Sequence, residues 1–118
     1  MITDVWVNFN YGGWTISFKK TFDLPFTPFY GLVLNDTKGV HENDIHFETH
    51  DYCRTRIDYS IEEERFNVDV RHVWKHPVTD EAIDSEIETF TNTGWERKDR
   101  TNIDDLKTLM KREHNNRN

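Results

Sequence analysis

One cysteine, Cys53, is all that the 118 residues contain, so no disulfide forms within the chain and no paired-thiol metal or redox motif is available. Glycine and proline are also scarce, five and three respectively. Gly-x-Ser-x-Gly, Walker-type and dinucleotide-binding glycine patterns are missing, which leaves little material for a phosphate cradle. No apolar run approaches the ~20 residues of a helical membrane span. The opening MITDVWV lacks the charged and apolar regions of a signal peptide. The expectation is a cytoplasmic protein with no membrane partner and no cofactor.

Basic residues are few where most of the chain lies. Residues 1–95 carry 8 Lys and Arg against 17 Asp and Glu, a net of −9, and residues 96–118 carry 7 against 5, a net of +2. Phosphate contacts need a basic footprint, so nucleic acid is not expected as a partner. An acidic body suits a partner protein that is itself basic.

What the sequence does hold is rings. Sixteen aromatics, each able to bury roughly 150–250 Å², support one core in a chain near the common domain size. We expect a single domain over residues 1–113 and a frayed polar tail over 114–118.

Alternation sets the architecture. The stretch from Cys53 to His76 puts Cys53, Thr55, Ile57, Tyr59 and Ile61 on one face, with Arg54, Arg56 and Asp58 opposite. Its second half puts Phe66, Val68, Val70, His72 and Trp74 against Asn67, Asp69 and Arg71. Period-two alternation of this length predicts antiparallel strands with one buried face. Two registers preserve the faces. Ile61 opposite Phe66 sets Asp58 against Asp69 and Arg56 against Arg71. A two-residue slip pairs Arg56 with Asp69 and Tyr59 with Phe66, and electrostatics favours it mildly.

A first hairpin follows from Val5, Val7, Phe9 and Trp14, Ile16, Phe18 around Tyr11-Gly12-Gly13. Pro25 and Pro28 break the period over Thr21–Pro28, whose Phe22, Leu24 and Phe26, with Phe29, are expected to plug the core. Strands are expected at Tyr30–Leu34 and from Ile45 to Thr49, separated by turn chemistry at Asn35–Gly39 and a polar loop at 41–44. Ile83, Ile87 and Phe90 fall at helical spacing after Pro77, with Thr79 or Asp80 as cap and Gly94 as stop. Trp95–Arg100 reads as a charged connector. A second helix starts at Asn102 and carries Ile103, Leu106 and Met110. Strands first and helices last predict an α+β fold: an antiparallel, meander-like sheet of five or six strands, with two C-terminal helices on one face.

Four groups are candidates for function. Arg54, Arg56, Asp69 and Arg71 are a salt-bridge ladder or a polar recognition face with arginine hot spots. Glu81, Asp84 and Glu88 form an acidic helix stripe, suited to a basic partner, or a solvated face neutralised by Arg97, Lys98 and Arg100. Trp6 and Tyr11 are candidate exposed anchors, with Trp6 alternatively packed under the Pro25–Pro28 segment. His46, Glu48 and His50 suggest a weak metal site, but His72, on the face of Val68 and Val70, is expected on the other side of the sheet. Cys53 with His50 or His72 is a thin nucleophile pair beside the commoner reading of a buried thiol. The expected function is an acidic protein-binding module of the inhibitor, immunity or anti-defence adaptor kind. The alternatives are a small metal-dependent or Cys–His enzyme and a homo-oligomer subunit.

Overall fold

In the computed structural model, described for residues 1–35 and 44–117, eight strands and two helices follow one another as expected for α+β. The strands are β1 (Ile2–Tyr11), β2 (Trp14–Asp23), β3 (Val33–Leu34), β4 (Ile45–His46), β5 (Thr49–His50), β6 (Cys53–Ser60), β7 (Arg65–Val73) and β8 (Glu96–Arg97). The helices are α1 (Asp80–Thr91) and α2 (Ile103–Asn116). The predicted Asn35–Gly39 turn and the 41–44 loop lie mostly outside the described residues.

Six strands form the main sheet in the order β5-β6-β7-β1-β2-β8, and β3 and β4 pair separately. The antiparallel pairing expected within each hairpin is present. The order departs from a simple meander at two seams, β7–β1 and β2–β8. At the first, β1 runs parallel to β7, setting Val5 beside Val68 and Val7 beside Val70. The N-terminal strand thus becomes a central one, and all four valines are fully buried.

Gly12 allows the tight β1–β2 turn because its φ is +56°, a region glycine enters without steric cost. The β6–β7 hairpin takes the register that electrostatics favours, with Arg56 opposite Asp69 and Tyr59 opposite Phe66. Ile61 does not extend the buried face. β6 ends at Ser60, and Ile61 sits in the turn, 83% exposed.

Four other expectations are corrected. β2 runs on through Thr21–Asp23, because the prolines interrupt the ladder only from Pro25. Of the aromatic plug, Phe22 meets Trp95 and Leu24 is buried, while Phe26 and Phe29 are exposed and touch each other. The Trp95–Arg100 connector contains β8, which pairs Glu96 and Arg97 with Lys19 and Phe18. The segment expected as one strand from Ile45 is split: β4 pairs with β3, β5 pairs with β6, and the fully buried Phe47 lies between them.

Odd positions of β1 and even positions of β2 and β7 face the helices. Phe90 of α1 stacks on Phe18 at 4.5 Å and meets Phe9 edge-on at 5.6 Å. Thr79 caps α1 by accepting from the Ala82 N–H, and Asn102 caps α2 by accepting from the Asp104 N–H. Ile83, Leu106 and Met110 bury the helix stripes. The expected frayed tail is instead helical to Asn116. The His114 ring lies 3.0 Å from the Tyr11 hydroxyl, and the Arg117 guanidinium covers the Tyr11 ring at 4.3 Å.

Candidate functional site

The helices cover one face of the sheet, and the other is built from polar side chains. Along β1, Trp6, Asn8 and Asn10 point outward; beside them lie Thr15, Ser17 and Lys19 of β2, and Asn67, Asp69 and Arg71 of β7. β6 adds Arg54, Arg56 and Asp58. Trp6, Asn8, Asn67, Asp69, Arg56 and Arg71 are among the residues lining a groove of about 560 Å³.

Hydrogen bonds hold the floor of the groove across three strands. Asn8 donates to Asp69 Oδ1 at 2.6 Å, and Ser17 donates to Asn8 Oδ1 at 2.7 Å. The Ser17 N–H donates to Asp99 at 3.0 Å, anchoring the β8 side. Thr15 donates to Asn10 at 2.8 Å. Both groove arginines pair along their own strands, Arg56 with Asp58 at 2.9 Å and Arg71 with Asp69 at 3.3 Å. The facing registry sets Arg54 against Arg71 and Arg56 against Asp69. The Lys19 ammonium lies 5.2 Å from the Trp6 ring centroid, within cation–π range. Trp6 therefore belongs to the groove.

At one end of this face Asp4 is almost fully buried, accepting from Thr21 at 2.5 Å and pairing with Arg65 at 2.9 Å. Burial pushes its pKa up, but the Thr21 and Arg65 hydrogen bonds and the Lys19 and Arg65 charges outweigh that and hold the carboxyl below its ordinary value.

The remaining candidates do not join the groove. Tyr11 is not an exposed anchor: it is 8% exposed, under α2. Glu81 and Glu88 are exposed on α1, on the helix side of the sheet. Asp84 is bound to Lys107 at 2.6 Å and Asp80 to Lys111 at 2.8 Å. Neutralisation of the stripe thus comes from α2. Arg97 and Lys98, expected in that role, pair with Asp99 and Glu96.

His46, Glu48 and His50 behave differently from a strand face. The bend at Phe47 lets the Glu48 carboxylate reach both rings, His46 Nδ1 at 3.3 Å and His50 Nε2 at 3.1 Å. His72 is not separated from them, contrary to the sequence reading. The small β3–β4 sheet folds His46 over the inner face, so His46, Glu48, His50, Cys53 and His72 line one shallow cleft of about 240 Å³. Among the described residues no three His, Cys, Asp or Glu side chains are arranged to hold a metal ion. Burial and the Glu48 charge push the Cys53 thiol up, which keeps it protonated and a poor nucleophile.

A second cleft, of about 320 Å³, lies on the other side of His72. Its Glu86 carboxylate, 18% exposed, meets His76 Nε2 at 3.1 Å. Burial raises the Glu86 pKa, and the His76 charge offsets part of that. His72, stacked on Phe9 at 5.3 Å, has its pKa lowered, by burial first and then by the charges of His50 and His46, against a smaller opposing pull from Glu48. Sequence reasoning missed Glu86. The available signal was its position, three residues after Ile83 and four before Phe90, on the flank of the apolar stripe.

No helix among the described residues is long and apolar enough to cross a membrane. No known family, curated protein or solved structure matches this chain.

Proposed function

We propose that this protein is a binding module that docks another protein on the uncovered polar face of its sheet. The observation that carries the reading is the outer groove. It brings Trp6, Arg56, Asp69 and Arg71, residues far apart in sequence, onto one concave surface. Arginine and tryptophan are the side chains most enriched at energetic hot spots. The Asp58 and Asp69 partners restrain the two arginines before any partner arrives, which lowers the ordering cost of association. Alternating Arg and Asp on the groove favour a partner with the complementary alternation, and the acidic body speeds approach of a basic one. Such a module acts by occupying a surface, as inhibitors and adaptors do. The reading includes a cytoplasmic setting, which a single buried thiol accommodates.

The test is affinity for a partner purified after capture from the native host. Trp6→Ala and Arg71→Ala should each weaken binding by at least ~1 kcal/mol, the loss that marks a significant interface residue, while Glu81→Lys with Glu88→Lys leaves it within about twofold. Loss confined to the helix variants would overturn the reading.

A further inference from the structure

The cleft beside Glu86 is distinct from the outer groove, being enclosed between the inner face of the sheet, α1 and β4. Its apolar surface comes from Val7, Phe9, Ile45 and Phe90. Its polar groups are Glu86, His76, His72, Thr89 and Asp44. Apolar walls with a few convergent polar groups are the usual make-up of a small-molecule pocket, and about 320 Å³ is at the small end of the usual range of roughly 300–1,000 Å³.

Charge decides what kind of ligand fits. Among the described residues, the Glu86 carboxylate lines the cleft and no lysine or arginine does. His72, held below its ordinary pKa, supplies hydrogen-bonding capacity without repelling a cation. Glu86 is compensated by His76, whose side chain is half exposed. A buried carboxylate with one solvent-exposed imidazole as partner is better stabilised by a desolvated cation. The parts of the Phe9 and Phe90 rings that reach the cleft give an apolar body a surface to pack against.

We infer that the Glu86 cleft binds a small organic amine, with its ammonium against the Glu86 carboxylate and its apolar body on Phe9 and Phe90. The amine takes the place His76 now occupies beside Glu86, and His76 swings outward to solvent.

The test is an NMR titration of the full chain with phenethylamine, phenethyl alcohol and hydrocinnamate as probes of one shape and three charges. Phenethylamine should give saturable shifts at the Phe9 and Phe90 rings and the His72 and His76 imidazoles. The alcohol should bind about tenfold more weakly, one charge-assisted contact having been lost, and hydrocinnamate should not bind. Glu86→Gln should abolish the preference for the amine. His76→Ala, at a half-exposed position that tolerates change, should act in the opposite direction and tighten amine binding, because the imidazole that competes for the Glu86 carboxylate is gone. The inference is overturned by any of three results: no saturable shift with phenethylamine, equal binding of the three probes, or weaker amine binding in His76→Ala. None of these depends on Glu86→Gln folding.

Discussion

Arg56 stands directly opposite Asp69 across the β6–β7 hairpin, and through Asp69 that pairing reaches the middle of the sheet. Asp69 accepts from Asn8 of β1 at 2.6 Å and pairs with Arg71 at 3.3 Å. The same carboxylate therefore supports the parallel seam between β7 and β1 and shapes the groove above it.

Asp69→Ala should cost about 1–3 kcal/mol of stability, the range for leaving a partly buried hydrogen-bond partner unsatisfied. Asp58, exposed and paired only with Arg56 along its own strand, should lose under about 0.5 kcal/mol on the same change. Urea denaturation of both variants measures the difference, and equal losses would remove Asp69 from the seam.

Two isoleucines give a sharper contrast. Ile83, on the inner face of α1, is fully buried, whereas Ile61 is 83% exposed in the turn. Ile83→Ala should destabilise by roughly 2–5 kcal/mol and Ile61→Ala by less than about 0.5 kcal/mol. A large loss at Ile61 would mean that the apolar face of β6 extends past Ser60.

Acid should act through Asp4. Its folded pKa lies below its unfolded value, so its contribution is present at neutral pH and disappears as pH falls through the folded pKa. Asp4→Asn should lower stability at pH 7 and flatten the decline between neutral and strongly acidic pH. Glu86 has the opposite sign. Its pKa is raised, so the favourable contribution is complete below the unfolded value and is lost as pH rises through the folded one. The change in stability caused by Glu86→Gln should therefore be more favourable at pH 7 than at pH 4, and thermal melts at the two values check it.

Truncation after Glu113 should lower the melting temperature. It removes the hydrogen bond between Tyr11 and His114 and the Arg117 cover on the ring. His114→Ala alone should cost about 1 kcal/mol. A melting temperature unchanged by truncation would restore the picture of a dispensable tail.

The hairpins and the helices were legible in the sequence because each depends on neighbours close along the chain: Gly12 at a turn, alternation along Cys53–Ser60, and Ile83 with Phe90 at helical spacing. The register at Arg56 was legible too, because only two slips keep the faces and one sets like charges together. Long-range pairing was not. Nothing local in Val5 and Val7 says that they lie beside Val68 and Val70 of a parallel strand. Nor does the run from His46 to His50 announce that Phe47 will be drawn into the core, turning both histidines toward His72. Half of the candidate groove could be read from the alternation of β6 and β7. The other half, Asn8, Asn10 and Thr15, appears only once β1 is inserted at the centre. The final turns of α2 look solvated in the sequence because the tail has no apolar residue; they are held by a hydroxyl and a ring that come from the first hairpin.

The binding role of the outer face is tested most directly by placing a photo-crosslinking amino acid at a single position in the native host. Asn67 lines the groove, and Glu81 is exposed on α1, on the opposite side of the sheet. Irradiation should give a discrete protein adduct from position 67 and none from position 81. An adduct from position 81 with none from position 67 would contradict a docking role for the polar sheet face.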